Sequence, residues 1–229
     1  MTWSGAPRRA TRAVTGQTLE SELKYRAEDE SPLVALAGAA SLGPAALGPA
    51  RTVDELDRYL DTPSLRLAAL HWACRLRTRE GRTIVSLKGP AEHESGAAMH
   101  ERRELEGPAT TDPSPSAWPP SEARARLREM TGDEPLIERV AMAQQRTERA
   151  VLGESGPIGL LSLDRVRVLA GDKEIGRLLI VELELDPVAL AGGADPRPLA
   201  AALSAVSGLH ADPLTKLEHA LGIASAPQR

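Results

Sequence analysis

The sequence predicts a β-rich α+β fold: an antiparallel sheet closed into a barrel, with helices packed outside it. Both halves of the chain contain short segments in which charged and apolar residues alternate at period two, which is typical of strands. These segments outnumber the helical ones, and their spacing does not indicate βαβ units. Several of them carry charges of both signs on one face, a pattern that suits a polar barrel interior.

The clearest alternating segment covers residues 19–28. Glu20, Glu22 and Lys24 fall on one face, whereas Leu23 and Tyr25 fall on the other. For a single strand taken alone, a charged face turned to water is the usual arrangement. Recurrence of the pattern favours an interior face instead. It is seen at Arg75, Arg77 and Arg79, at Ser86 and Lys88, and at Glu182, Glu184 and Asp186.

Helices are predicted between the strands, several of them opened by Asp, Ser or Pro. The predicted ranges are 53–60, 121–130, 198–206 and 213–221. The stretch at 33–50 is rich in Ala, Gly and Pro, and its internal prolines argue against a membrane-spanning helix. It also lacks the Lys-Ser/Thr of a P-loop, so we interpret it as a connector.

Composition narrows the function classes. The chain has no Phe, two Tyr and three Trp, so the core must be aliphatic and few bases could be stacked. A net charge of -4, with Lys and Arg spread along the chain, argues against a nucleic-acid binder. The one cysteine, Cys74, excludes an intramolecular disulfide and a cysteine-based zinc site. No apolar run follows the basic N-terminal residues, so we expect no signal peptide. Together, these observations predict a soluble, cytoplasmic protein with neither a membrane nor a nucleic-acid partner.

Faces that combine carboxylates with Lys and Arg predict a site for metal and phosphate together. Hard divalent cations such as Mg²⁺ and Mn²⁺ prefer carboxylate oxygens, whereas phosphoryl oxygens pair with Arg forks and Lys ammonium groups. Carboxylates alone would repel phosphate, and basic groups alone would bind it without metal. The presence of both therefore points to metal-assisted phosphate chemistry.

The charged segments resemble, in their order along the chain, the motifs of the CYTH proteins, the triphosphate tunnel metalloenzymes. Residues 20–24, Glu-Ser-Glu-Leu-Lys, match the N-terminal E-x-E-x-K signature of that family, a motif that is weak by itself. Eight further pieces follow: Tyr59-Leu-Asp61-Thr62, Arg75-Leu-Arg77, Ser86-Leu-Lys88, Arg102-Arg-Glu104-Leu-Glu106, Gln145-Arg146-Thr147, Leu163-Asp164-Arg165, Glu182-Leu-Glu184-Leu and Thr215-Lys216-Leu217-Glu218. The last piece has Thr and Leu where the family has Ser and Tyr. Strand register leaves Arg149 as an alternative to Arg146, and Arg103 as an alternative to Arg102.

The resemblance implies one tunnel domain over residues 17–224 that binds a linear triphosphate, a nucleoside triphosphate or polyphosphate. Composition adds a disordered leader at 1–16, a Pro/Ser-rich surface linker at 107–121 and a tail at 225–229. The implied cofactor is Mg²⁺ or Mn²⁺, held by carboxylates: Glu20, Glu22, Glu104, Glu106, Asp164, Glu182 and Glu184. The implied phosphate ligands are Lys24, Arg75, Arg77, Lys88, Arg102, Arg146 and Lys216. Lys24, Glu182 and Glu184 are the implied catalytic residues.

The leading hypothesis is metal-dependent hydrolysis of a triphosphate, with inorganic triphosphate first. Other enzymes of the superfamily hydrolyse thiamine triphosphate or cyclise ATP, but the shortage of aromatic residues offers little to grip a thiazolium ring or a base. Two non-enzymatic alternatives stay open. One is a binder of triphosphate or polyphosphate, and the other is an interaction barrel whose interior only forms salt bridges. The sequence also leaves the oligomeric state open, a homodimer included.

Overall fold

The computed structural model describes residues 18–94 and 99–226, with side chains described for 20–90 and 99–226. The predicted leader at 1–16 lies outside the described residues, as do the last three residues of the predicted tail. Within the described residues, eleven strands form one sheet whose pairings are antiparallel. They are β1 (Thr18–Ala27), β2 (Ser41–Leu42), β3 (Ala45–Leu47), β4 (Arg51–Asp61), β5 (Ala73–Arg79), β6 (Arg82–Glu94), β7 (Met99–Ala109), β8 (Ile137–Gly153), β9 (Gly156–Ala170), β10 (Lys173–Leu185) and β11 (Leu209–Ala211).

Eight of these strands close into a barrel. The order around the wall is β8, β4, β5, β6, β7, β1, β10 and β9, and β9 pairs back to β8. The hairpin of β2 and β3 extends β8, and β11 pairs with β1. Closure supplies both edges of each wall strand with a hydrogen-bonded neighbour. The predicted fold class, a closed antiparallel barrel with helices outside, is confirmed.

The helices are short, and all but the last lie in the connections between strands. They are α1 (Ser31–Gly38), α2 (Arg66–Ala69), α3 (Glu122–Thr131), α4 (Pro187–Ala191), α5 (Arg197–Ser204) and α6 (Lys216–Ser225), with a 3-10 turn at Pro115–Ala117. Helices predicted at 121–130, 198–206 and 213–221 correspond to α3, α5 and α6, with shifted boundaries. No helix in the described part of the chain is long and apolar enough to cross a membrane.

The helix predicted at residues 53–60 is wrong, because this segment forms most of β4. Val53, Leu56 and Leu60 follow a helical spacing, but the observed burial alternates: Glu55 and Asp57 are buried and Leu56 is exposed. The barrel interior is polar, so the rule that apolar residues mark the buried face fails on this strand.

Two further segments contain more structure than the sequence indicated. The predicted connector at 33–50 holds most of α1 together with β2 and β3. Of the predicted linker at 107–121, the first three residues belong to β7 and Pro115–Ala117 forms the 3-10 turn.

Most of the apolar core lies on the outer face of the barrel wall. One cluster packs the outer faces of β1, β9 and β10 against α1 and α5, with Leu161, Val181 and Leu203 fully buried. A second packs β5, β6 and β7 against α2 and α3 around Trp118 and Leu127. The amphipathic strands thus direct their apolar residues outward to the helices and their charged residues inward.

A third apolar cluster fills one end of the barrel interior. Met142, Val168 and Ile180 lie on the inward faces of β8, β9 and β10, and they pack against α6 around the fully buried Ala220. Helix α6 therefore closes this end. Its first turn brings Lys216, only 6% exposed, against the charged part of the interior.

Gly176 on β10 allows α6 to approach the wall closely. A Cβ at this position would lie 2.7 Å from Ile223 Cγ2, which is too close for an ordinary contact. We expect Gly176→Ala to lower the free energy of unfolding by about 1–3 kcal/mol through overpacking. Urea denaturation measures the change, and the same substitution should cost clearly less in an Ile223→Ala background.

Gly38→Ala is the matched control, since a Cβ there meets nothing within 4 Å. Equal costs for Gly176→Ala with and without Ile223 would contradict the contact between α6 and the wall.

Candidate active site

The barrel interior contains a cavity of about 510 Å³ that is lined almost entirely by charged side chains. Among the described residues, nine cationic side chains line it: Lys24, Arg75, Arg77, Arg79, Arg82, Lys88, Arg102, Arg146 and Lys216. Eight glutamates share the surface: Glu20, Glu22, Glu55, Glu80, Glu104, Glu106, Glu182 and Glu184. Tyr59, Ile84, Ser162 and Thr215 complete the lining.

Strand register brings the glutamates of β1 and β10 together. Glu22 lies directly opposite Glu184, and Lys24 lies opposite Glu182. On the other side of β1, Glu20 lies opposite Arg102 of β7. Because alternate residues of a strand share one face, these side chains all point into the cavity.

All of the predicted site residues except Asp164 line this cavity. The open choices of register are also resolved. Arg146 reaches the cavity, whereas Arg149 donates hydrogen bonds to backbone carbonyl oxygens, including those of Leu36 and Gly48. Arg102 lines the cavity and Arg103 is exposed on the opposite face of β7. The catalytic, phosphate and metal roles of these residues stay predictions.

Asp164 lies behind the cavity surface and is fully buried. Its two carboxylate oxygens accept hydrogen bonds from Arg146 Nε and Nη2, each at 2.7 Å. Oδ2 also accepts one from Lys216 Nζ at 2.5 Å. Both oxygens are therefore engaged by phosphate-ligand candidates, and the metal-ligand role implied for Asp164 stays a prediction.

Three of the glutamates that were predicted as metal ligands accept hydrogen bonds from Lys and Arg side chains. Glu20 accepts from Lys88 Nζ at 2.6 and 2.7 Å, and Glu22 accepts from Arg102 Nη2 at 3.0 Å. Glu182 accepts from Lys216 Nζ at 2.7 Å. Buried charges need such partners, since an uncompensated one costs several kcal/mol.

Two arginines retain buried donors that no acceptor reaches. Among the described residues, Arg75 Nε and Arg102 Nε are buried nitrogens without a hydrogen-bond partner. Native structures satisfy nearly all buried donors, so an orphaned guanidinium N–H inside a cavity indicates where an acceptor of a ligand belongs. An anionic oxygen is the strongest acceptor for such a group.

The two glutamates of the E-x-E motif have opposite pKa shifts. Burial raises the pKa of Glu20 to about 7, and the opposing charge of Lys88 does not offset it. Burial also acts to raise the pKa of Glu22, but Lys24, Lys88 and Arg102 outweigh it and lower the pKa to about 2. Glu20 therefore lies where positive charge is insufficient to hold a carboxylate ionised.

The donor set fits a hard divalent cation. Glu22 of β1 lies directly opposite Glu184 of β10, and carboxylates that face each other across a strand pair repel unless a cation offsets them. The raised pKa of Glu20 points to the same shortage of positive charge. Among the described residues, no three Asp, Glu, His or Cys side chains already surround a common point. Metal binding would therefore draw glutamates such as Glu20 away from their Lys and Arg partners.

Several residues of the site were missed from the sequence: Glu55, Asp57, Arg79 and Gln144. Glu55 and Asp57 were lost because β4 was predicted as a helix. Their spacing of two, in phase with Tyr59, was the available signal. Gln144 carries no charge, and only its position two residues before Arg146 on β8 marks it as facing inward.

The opposite pKa shifts predict unequal effects of removing each carboxylate in the metal-free protein. Stability from Glu20, whose folded-state pKa is raised, is present below pH 4.5 and lost as the pH rises through 7. Stability from Glu22, whose pKa is lowered, is present above pH 4.5 and lost as the pH falls through 2. At pH 8, Glu22→Gln should thus destabilise the protein by on the order of 2 kcal/mol. Glu20→Gln should cost less, because relief of the burial of a charged Glu20 offsets part of the lost contact with Lys88.

Urea denaturation with a chelator present, at several pH values from 5 to 8, measures both effects. The cost of Glu20→Gln should fall across this range, because the carboxylate it replaces becomes charged. A Glu20→Gln variant that costs as much as Glu22→Gln at pH 8 would contradict the assignment.

Comparisons with known proteins agree with this architecture. Residues 18–188 match the family described as CYTH domain. No curated protein matches the chain. Among solved structures, a putative adenylyl cyclase from Hippeastrum, described as having a dominant triphosphatase activity, superposes with a TM-score of 0.65 at 19% identity. The match covers 91% of this chain and 97% of the Hippeastrum chain.

Two microbial structures show the same fold. A putative adenylate cyclase from Bacillus halodurans has a TM-score of 0.58 at 19% identity, covering 89% of this chain and 98% of its own. A protein from Pyrococcus horikoshii has a TM-score of 0.50 at 17% identity, covering 88% of this chain and 98% of its own. At such identities the structures establish the fold alone. The family match extends over most of the chain, and with the closed barrel and its charged interior it leads to one conclusion: this chain belongs to the CYTH family.

Proposed function

We propose that this protein is a divalent-metal-dependent hydrolase of a linear triphosphate, with inorganic triphosphate as the preferred substrate. The observation that carries the proposal is the cavity itself, in which glutamates suited to a metal share one surface with Arg and Lys groups suited to a phosphate chain. The unpartnered N–H groups of Arg75 and Arg102 support the same conclusion, since phosphate oxygens would satisfy them.

The charge balance of the cavity explains why a metal is needed. Nine Lys and Arg side chains and eight glutamates line it in the described residues, with Asp57 and Asp164 buried behind them. The interior is therefore close to neutral, and a triphosphate would add several negative charges. Mg²⁺ or Mn²⁺, held by Glu20, Glu22, Glu182 and Glu184, would offset those charges and assist ionisation of the attacking water.

The cationic side chains position the substrate and stabilise the charge that develops during cleavage. Arg75, Arg77 and Arg102 would donate to non-bridging oxygens, and Lys24 and Lys216 would approach the reacting end of the chain from β1 and α6. Phosphoryl transfer needs little covalent participation from protein groups, so orientation and charge stabilisation supply most of the rate enhancement. Negative charge on the departing bridging oxygen is the charge that these groups offset.

Inorganic triphosphate is favoured over nucleotides and thiamine triphosphate because the cavity offers little aromatic surface. Tyr59, 8% exposed, is the one aromatic side chain among the described lining residues. A base or a thiazolium ring would thus find no open ring to stack on. The triphosphatase activity described for the Hippeastrum protein supports hydrolysis over cyclisation. Thiamine triphosphatase, adenylate cyclase and a non-catalytic triphosphate binder are the alternatives.

We expect the purified protein to release phosphate from inorganic triphosphate when Mg²⁺ or Mn²⁺ is present, and faster than from ATP or thiamine triphosphate. Glu182→Gln and Glu184→Gln should each lower kcat/KM by about 100-fold or more, the scale of losing one electrostatic group in a transition state. Malachite-green detection of phosphate measures turnover, and circular dichroism confirms folding.

Glu138→Gln is the matched control, because Glu138 pairs with Arg58 outside the cavity. Binding of triphosphate without any phosphate release would exclude the hydrolase. Cyclic AMP formation from ATP would indicate the cyclase.

Ligand binding itself has a separate test in thermal unfolding. Triphosphate and Mg²⁺ together should raise the melting temperature, with about 2.7 kcal/mol of stabilisation when the ligand is at 100 times its Kd. An interior that serves only as a salt-bridge network would give an unchanged melting temperature. Omitting the metal should reduce the shift, since the near-neutral cavity then lacks the charge to hold a polyanion.

A further inference from the structure

We propose that Asp57, supported by Glu55 and Gln144, is a positioning residue that sets the guanidinium of Arg77 for the phosphate chain. This inference rests on the proposed function, because it concerns how the same cavity holds its substrate. Asp57 is not among the residues that line the cavity, and its side chain is fully buried. It therefore acts through Arg77 and does not touch the ligand itself.

The pair between Asp57 and Arg77 is a bidentate fork. Arg77 Nε donates to Asp57 Oδ1 and Arg77 Nη2 donates to Oδ2, each at 2.7 Å. The two residues lie directly opposite each other on β4 and β5, so the backbone ladder fixes their separation. Neither bond uses Nη1, whose N–H groups remain for a phosphate oxygen. Such a fork restricts the rotation of a long side chain before any ligand arrives.

Gln144 links Asp57 to Glu55 by donating to both carboxylates. Its Nε2 donates to Glu55 Oε2 at 2.8 Å and to Asp57 Oδ2 at 3.1 Å. Glu55 in turn lies 3.3 Å from Arg77 Nε and 3.1 Å from Arg79 Nη1. The amide thereby holds two neighbouring carboxylates of β4 that would otherwise repel each other, and both carboxylates face the arginines of β5.

The charge state of Asp57 is fixed by the same contacts. Burial acts to raise the pKa of Asp57, but Arg77 and Arg75 outweigh it and hold the pKa well below its usual range. Arg75 Nη1 lies 3.6 Å from Oδ2, beyond hydrogen-bond distance, so the fork with Arg77 is the closer contact of this carboxylate. Asp57 thus stays ionised, as the fork requires.

Asp164 and Arg146 repeat this geometry on β9 and β8, with the same Nε and Nη2 bonds at 2.7 Å. A fully buried aspartate behind a cavity-lining arginine therefore occurs twice in the described part of the barrel. The repetition provides a matched pair for the experiment, since each aspartate should act through its own arginine.

A double-mutant cycle on triphosphate affinity tests the proposal. Asp57→Asn and Arg77→Gln are made singly and together, and the Kd for inorganic triphosphate with Mg²⁺ is measured by titration calorimetry. Each single change should weaken binding by about 10- to 100-fold, and the double variant should bind within about threefold of Arg77→Gln alone. Asp164→Asn combined with Arg77→Gln is the control, and its effects should multiply.

Effects of Asp57→Asn and Arg77→Gln that multiply would overturn the proposal, as would unchanged affinity in a folded Asp57→Asn variant. If that variant does not fold, Gln144→Met provides the test, because it removes the amide donor and keeps the fork. It should weaken binding by about two- to fivefold, and wild-type affinity would reject the network. A wild-type protein that binds triphosphate without hydrolysing it would exclude only the hydrolase, whereas absence of binding would reject both proposals.

Discussion

Each wall strand of the barrel turns charged side chains toward the interior, where many of them are buried, and a buried charge is tolerated only with a partner of opposite sign. This constraint governs the arrangement of the site. Lys88 pairs with Glu20, Arg102 with Glu22, and Arg146 with Asp164. Because each partner lies on a different strand, the interior ion pairs depend on closure of the barrel and on its register.

The charged interior also determines where the hydrophobic core can lie. In most barrels of this size the inward residues form the core, but here the inward face is largely occupied by charge. Apolar residues therefore pack outside the wall, where α1, α3 and α5 cover them. The exception is the end closed by α6, where apolar side chains fill the interior and the first turn of α6 supplies Lys216 to the cavity.

The network of ion pairs compensates the buried charges of the ligand-free protein. Metal and phosphate would then exchange partners with groups already in place: glutamates would move from Lys and Arg to the cation, and the cations released would bind phosphate oxygens. The buried aspartates have a different part in this exchange. Their bidentate pairs with Arg77 and Arg146 lie behind the cavity surface and can persist when ligands bind.

Sequence patterns were sufficient to predict the fold class and most of the charged residues that line the cavity. Period-two alternation and the order of the motifs can both be read directly from the linear sequence. Glu20, Glu22, Lys24, Glu182 and Glu184 were assigned to one cavity in this way. The inward-facing residues of β4 were not assigned to the cavity, because Val53, Leu56 and Leu60 follow a helical spacing. In a polar interior, moreover, charged residues of a strand can be buried while an apolar one is exposed.

Only the tertiary structure decided which of several chemically similar residues face the cavity and which hold other side chains or the backbone in place. Asp57 and Asp164 lie behind the cavity surface and accept hydrogen bonds from arginines, whereas Glu20 and Glu182 lie on the cavity surface. Arg146 faces the cavity, and Arg149 binds backbone carbonyl oxygens around α1. A linear motif records charge and spacing, but depth below the cavity surface and the choice of partner arise from cross-strand register and packing between distant segments.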